Sequence, residues 1–250
     1  MLVSEEIWGE IPLLHVHNNL MDAKTPTVLF LHGHMSAKEH NLHYAFQLVK
    51  KGIRVLLPDA LYHGSRSQNL SELEMNTKFW DIVLANIKEV GQLYEEGQKR
   101  QIFAGSKIGL AGTSMGAIST SACLTQYSWI DSAAICMGVT SVTKLAEHQL
   151  NTIRINGKPL EVSVEQRKAT YQMLNSFNLE AKREIFDEKP IIFWHGQKDE
   201  IIPFSLSNTY YEENLQNTRA QYIAEKNAAH AVSRSGILKV TEFLAQHLSE

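Results

Sequence analysis

The stretch Ile108-Gly109-Leu110-Ala111-Gly112-Thr113-Ser114-Met115-Gly116 decides how this chain is read. Ile108–Ala111 is a short apolar run with the composition of a buried strand. It leads directly into the pattern Gly-x-Ser-x-Gly, and a helical pattern follows over Ala117–Gln126. A serine so placed sits on a tight strand-to-helix turn with its hydroxyl exposed above the sheet. Glycine two residues to either side removes side chains that would clash in so sharp a bend. The plainer alternative, a serine capping a helix in a glycine-rich turn, asks nothing of the rest of the chain. A nucleophile asks for a base, and the base for an acid that orients it.

Outward from Ser114, short β-rich runs alternate with longer amphipathic ones. The strand candidates are Thr27–Leu31, Ile53–Leu57, Ile108–Ala111, Ala133–Met137, Ile191–Trp194 and Ala220–Ala224. Helical patterns lie at about Ala37–Lys51, Glu72–Glu96, Ala117–Gln126, Ser205–Asn217 and Ser235–Leu248. This alternation predicts an α/β fold with a mostly parallel central sheet flanked by helices. The first twenty residues are expected to add one or two antiparallel edge strands. One interval breaks the rhythm: Thr140–Lys189 offers helical sequence only around Glu165–Asn175 and Leu179–Phe186, and a turn at Asn156–Gly157. Fifty residues are too many for a plain connection. We therefore expect a single domain over residues 1–250, with 140–189 as a small helical cap at the C-terminal edge of the sheet, where α/β proteins bind ligands.

The partners of Ser114 should come from loops at that same edge. Gly138-Val139-Thr140-Ser141, after Ala133–Met137, contains no carboxylate. His195-Gly196-Gln197-Lys198-Asp199-Glu200-Ile201-Ile202-Pro203, after Ile191–Trp194, does. Asp199 is the expected acid, and Glu200 should point elsewhere on the turn. His230, in Ala228-Ala229-His230-Ala231-Val232 before the terminal helix, is the expected base. The other histidines precede Ser114 or lie in the wrong elements. Acyl transfer also needs donors aimed at the oxyanion. One is the backbone N–H of Met115. The second should come from His32-Gly33-His34-Met35, with His34 N–H expected and Met35 N–H the alternative; His32 should support that loop. Asp59 and His63, in the loop after Ile53–Leu57, should hold their own loop by hydrogen bonds to backbone. No carboxylate or histidine spacing supports a metal site.

Composition limits the alternatives. Of 250 residues, 44% are hydrophobic and 20% charged, which is ordinary globular usage. A net charge of −3 gives no electrostatic case for binding nucleic acid or an anionic membrane. Two cysteines, Cys123 and Cys136, fit a reducing compartment rather than a disulfide framework. No apolar run is long enough for a membrane helix. The start of the chain carries Glu5 and Glu6 and does not read as a secretory signal. A cytoplasmic protein is expected, of unassigned oligomeric state.

Taken together, His32-Gly33, Pro58-Asp59 with His63-Gly64, Gly112-Thr113-Ser114-Met115-Gly116, Gly196-x-x-Asp199-x-x-Ile202-Pro203 and Ala229-His230 resemble the α/β-hydrolase superfamily. Within it the chain is similar to the compact prolyl-oligopeptidase-like and dienelactone-hydrolase-like esterases, from about Thr25 to Leu248. The resemblance implies a serine carboxylesterase that needs no cofactor and forms an acyl-serine intermediate, with Ser114, Asp199 and His230 as its triad. The nucleophile is serine where dienelactone hydrolases commonly use cysteine, and no β-propeller stretch precedes the catalytic pattern. Both departures favour a small-molecule, short-chain ester as substrate. A peptidase, acyltransferase or thioesterase on the same triad stays open, as does a non-catalytic receptor on a hydrolase fold.

Overall fold

A computed structural model of the chain describes residues 1–152, 154–155, 158–159 and 163–249. In chain order its elements begin with strands β1 (Leu2–Trp8), β2 (Ile11–His17) and β3 (Thr27–Leu31), helix α1 (Leu42–Val49) and strand β4 (Arg54–Pro58). Helices α2 (Glu72–Thr77) and α3 (Phe79–Lys99) follow, then β5 (Ile108–Thr113), α4 (Met115–Leu124) and β6 (Ser132–Cys136). After these come α5 (Val142–Thr152), the two-residue strands β7 (Arg154–Ile155) and β8 (Lys158–Pro159), α6 (Val164–Leu174) and α7 (Glu184–Glu188). The last unit is β9 (Ile191–Gly196), α8 (Ser205–Asn214), β10 (Ala220–Glu225) and α9 (Arg234–Ser249).

Among the described residues, eight strands form one sheet in the order β1-β2-β4-β3-β5-β6-β9-β10. β1, β2 and β4 pair antiparallel, and every pair from β4 across to β10 is parallel. This is the α/β-hydrolase arrangement, with the expected antiparallel edge supplied by the first residues. The central strands β3, β4, β6 and β9 are buried along their whole length, because helices cover both faces. Alternation then divides each strand between two cores. Leu29 and Leu31 of β3 meet Ile82, Ile87 and Val90 of α3 and Ile118 of α4 on one side. Val28 and Phe30 meet Tyr44 and Leu48 of α1 and Val240 and Leu244 of α9 on the other.

Three expectations needed correction. The helical run at Glu72–Glu96 is broken at Lys78, whose φ of −91° and ψ of 4° leave the helical region. Ala37–Lys51 starts as a 3₁₀ turn over Lys38–Asn41 and becomes α-helical only at Leu42. Within 140–189 the helix α5 had no counterpart in the sequence reading, and Leu179–Phe186 is a 3₁₀ turn followed by α7 rather than one helix. The turn expected at Asn156–Gly157 lies outside the described residues, between the paired strands β7 and β8. The insertion is fastened at the C-terminal end of α4, where Lys182 donates to the Thr125 carbonyl (2.6 Å), and at the loop after β6, where Glu180 N–H donates to the Thr140 carbonyl (3.1 Å).

Because β3, β4, β5, β6, β9 and β10 run parallel, their C-terminal ends share one edge, where the loops beginning at His32, Asp59, Ser114, Gln197 and Lys226 all open.

Candidate active site

Ser114 joins β5 to α4 with φ +52° and ψ −118°. A non-glycine residue at positive φ is strained and persists only where its surroundings fix it. Here they do: Ser114 N–H donates to the Cys136 carbonyl (2.9 Å), and the Ser114 carbonyl accepts from Ile118 N–H (2.9 Å). The close passage also requires glycine behind the serine. A Cβ on Gly116 would overlap the Leu31 carbonyl, and one on Gly112 would overlap the Gly116 backbone.

Two loops bring their side chains to Ser114. The Ser114 hydroxyl donates to His230 Nε2 (2.8 Å), and His230 Nδ1–H donates to Asp199 Oδ2 (2.7 Å). Since the carboxylate fixes the proton on Nδ1, Nε2 is left as an acceptor, the tautomer a general base needs. The two loops are stitched together just before these side chains, where Lys198 N–H donates to the Ala228 carbonyl (2.9 Å) and Gln197 N–H to the Glu225 carbonyl (3.0 Å). A Cβ on Gly196 would overlap the carbonyls of Ala228 and Ala229, which explains the glycine three residues before Asp199. Glu200 is exposed on the outer side of the turn.

The Asp199 side chain is fully buried. Burial alone would raise its pKa, yet hydrogen bonds from His195, His230 and the Ile202 backbone hold it well below the ordinary carboxylate range. Oδ1 accepts from the backbone N–H groups of Ile201 and Ile202, both at 2.9 Å. Oδ2 accepts from His230 and lies 3.1 Å from His195 Nε2. Such a carboxylate stays ionised beside an imidazolium.

At the start of α4, Met115 N–H has no partner one turn back, as for any first helical residue, and points out of the positive end of the helix dipole. The loop after β3 lies against the serine, since a Cβ on Gly33 would stand 3.4 Å from Ser114 Cβ. Met35 N–H is spent on His63 Nε2 (3.0 Å), whereas His34 N–H makes no hydrogen bond to another described residue. Of the two candidate amides, Met35 N–H is thus engaged and His34 N–H is not. The His34 ring is held by Asn76 Oδ1 (3.1 Å) and by edge contacts with His63 and Phe79.

Two histidines act on backbone. His32 Nε2 accepts from Ala60 N–H (3.0 Å) while its Nδ1–H donates to the Gly33 carbonyl (2.8 Å). His63 Nε2 accepts from Met35 N–H while its Nδ1–H donates to the Leu61 carbonyl (2.8 Å). Each bond pattern requires a neutral ring, and burial lowers both pKa values, for His32 to about 4. Asp59, fully buried, accepts from Lys38 N–H (3.0 Å), Lys38 Nζ (2.7 Å) and Ser65 N–H (2.9 Å). These residues lock the loops after β3 and β4 together and do not reach Ser114. Burial pushes the thiol of Cys136 up to about 12, which leaves it chemically inert. Among the described residues, no group of three or more His, Cys, Asp and Glu side chains could hold a metal ion.

Sequence reasoning passed over His195 as a member of the wrong element. The available signal was its place four residues before Asp199, where the strand leads into that loop.

Comparison with known proteins supplies the remaining information. Residues 46–250 match the model of the prolyl oligopeptidase family. YitV, an inferred esterase of Bacillus subtilis (strain 168), is 38% identical over 244 residues, covering 95% of this chain and 96% of its own. YjfP, an esterase of Escherichia coli (strain K12), is 24% identical over 248 residues, covering 96% of each. Among solved structures, TT1662 from Thermus thermophilus aligns with a TM-score of 0.77 at 20% identity, covering 100% of this chain and 98% of that one. At that identity the likeness shows a shared fold.

Proposed function

Because the chain belongs to the prolyl oligopeptidase family and is a hydrolase of the α/β fold, we propose that it is a serine carboxylesterase acting on small, short-chain esters. The observation that carries this is the unbroken chain from Asp199 through His230 to Ser114, on a strained turn at the ligand edge of the sheet. Ser114 Oγ attacks the ester carbonyl as His230 Nε2 takes its proton. The tetrahedral oxyanion forms against the N–H groups of Met115 and His34. His230 then returns the proton to the departing alcohol, leaving an acyl-serine that water hydrolyses by the same steps. Asp199 holds the imidazole and balances its charge. The chemistry needs a nucleophile, a base and an oxyanion site, all supplied by the chain, and asks for no cofactor.

Support for esters over peptides comes from YitV and YjfP, both named as esterases and both matched along nearly their full length. Support for small esters comes from the insertion, which we place as a partial cap beginning at Thr140, beside the site. Its helix α6 buries Leu174 and exposes Val164 and Met173, so it is a solvated helix rather than an apolar lid. We take the protein to work in the cytoplasm on a free small molecule; among the described residues no helix is long and apolar enough to cross a membrane.

The test is labelling with a fluorophosphonate together with hydrolysis of p-nitrophenyl acetate. Wild type should be labelled on Ser114 and turn over the ester. Ser114→Ala should lose the label and up to about 10⁶ in kcat while remaining folded. Residual activity within tenfold of wild type sinks the assignment. The family match favours one second reading, a peptidase, and faster cleavage of aminoacyl or peptidyl nitroanilides than of any simple ester would establish it.

A further inference from the structure

Behind Asp199, on the side away from His230, lies a second imidazole. His195, at the end of β9, is buried with 1% of its surface exposed. Its Nε2 stands 2.9 Å from the Ile202 carbonyl and 3.1 Å from Asp199 Oδ2. Both are acceptors, so Nε2 carries a proton and is shared between them. Nδ1 faces Ser207 Oγ at 3.3 Å, and Ser207 Oγ is 2.7 Å from the Tyr222 hydroxyl. Burial pushes the Tyr222 phenol well above its ordinary range, so it remains a donor. The hydroxyl directions follow: Tyr222 donates to Ser207 and Ser207 to His195 Nδ1, while His195 Nε2–H donates to the Ile202 carbonyl with Asp199 Oδ2 3.1 Å away. Phe204 closes this network from α8, with its ring at right angles to both His195 and Tyr222. The titratable groups gathered here are Asp199, His230, His195 and Tyr222, and Glu212 acts on Tyr222 from α8.

From this geometry we infer that His195 is a positioning residue that sets the strength of the catalytic base, by setting its Nε2–H, shared with the Ile202 carbonyl, against the same carboxylate oxygen that receives His230. The inference rests on the serine-hydrolase reading above. Oδ2 is an acceptor shared by two imidazoles, and each donor draws charge from it. With His195 in place, Oδ2 holds a proton on His230 less firmly than an oxygen serving His230 alone. The chain Tyr222–Ser207–His195 keeps the second donor turned toward Asp199 in the one tautomer that serves this purpose.

The test compares His195→Phe, which keeps the ring volume and removes the donor, with His195→Gln, whose amide nitrogen reaches the position of Nε2. In kcat/KM for p-nitrophenyl acetate, the acid limb should move upward by about one pH unit in His195→Phe. It should return toward wild type in His195→Gln, with KM unchanged in both. A folded His195→Phe whose acid limb coincides with wild type overturns the inference, however far its rate has dropped. In the wild-type protein, ¹⁵N spectra should show the His195 proton on Nε2. A proton on Nδ1 with Nε2 bare overturns the inference without any variant. Were wild type neither labelled by fluorophosphonate nor active on the ester, the hydrolase reading would fall by itself. His230 titration, followed by NMR in wild type and His195→Phe, would still decide the role of His195.

Discussion

Two carboxylates stand side by side after β9, and one of them reaches an imidazole. Asp199 is buried and accepts from two backbone amides and His230, with His195 Nε2 3.1 Å away, while Glu200 is exposed on the same turn. Asp199→Asn should cost roughly 10⁴ in kcat, because an amide presents the wrong partner to His230 Nδ1–H and favours the other tautomer. Glu200→Gln should leave kcat near wild type. Steady-state rates on p-nitrophenyl acetate decide it, and the reverse ranking would move the acid by one residue. Asp199 was legible in the sequence because fold order and the spacing Gly196-x-x-Asp199 both pointed to it. The contact of His195 with Asp199 was not. It depends on how the chain leaving β9 turns back on itself, and that path is set by the Ile201 and Ile202 amides closing onto the carboxylate. His34 and Met35 were adjacent candidates for one role. What distinguishes their amides is the His63 ring on the Met35 N–H, a contact between residues far apart in sequence.

At the scale of elements, the loops after β3 and β4 are joined by two rings used as backbone acceptors. His32 carries the larger burden, being buried with its folded pKa lowered to about 4 from an ordinary 6.5. A histidine with a depressed folded pKa binds its proton more readily when unfolded. Its contribution to stability is therefore complete above pH 6.5 and is lost as pH falls from there toward 4. The span corresponds to about 3 kcal/mol. Urea unfolding at pH 7 and at pH 4.5 should show this loss in wild type. His32→Gln, which keeps an acceptor for Ala60 N–H and cannot titrate, should show a flatter profile, and equal pH slopes in the two proteins would refute the account. The six parallel strands were the most legible elements, each placed within a residue or two, because strands buried on both faces read as continuous apolar runs between turns, whereas the short pair β7 and β8 was missed. Helices were less so. The break at Lys78 has no proline or glycine to announce it, and α5 opens on Val142 and Thr143, residues with little helical preference. The capping boxes at Ser71 with Glu74 and at Ser163 with Gln166 mark the starts of α2 and α6, and both were available in the sequence.

For the molecule as a whole, the small-ester proposal turns on what the insertion can cover. Its helix α6 is exposed along most of its length and carries mostly polar residues. Rates measured on p-nitrophenyl esters from two to sixteen carbons should peak at short chains, with no jump as substrate passes its solubility limit. A maximum at twelve carbons or beyond, with activation by emulsion, would defeat the small-ester reading and leave the triad intact. The parallel sheet has a further consequence, in time rather than space. Ser114 and His230 are separated by 116 residues, and the base hangs on the last strand–helix unit of the fold. A chain emerging from a ribosome acquires its strained serine turn long before anything can activate it. Contacts of such sequence separation form late, after the loop between them has been closed. The enzyme is thus silent throughout its own folding. On refolding from denaturant, esterase activity should never run ahead of the burial of Trp194, the fluorophore of β9, and should return only as β10 and α9 dock.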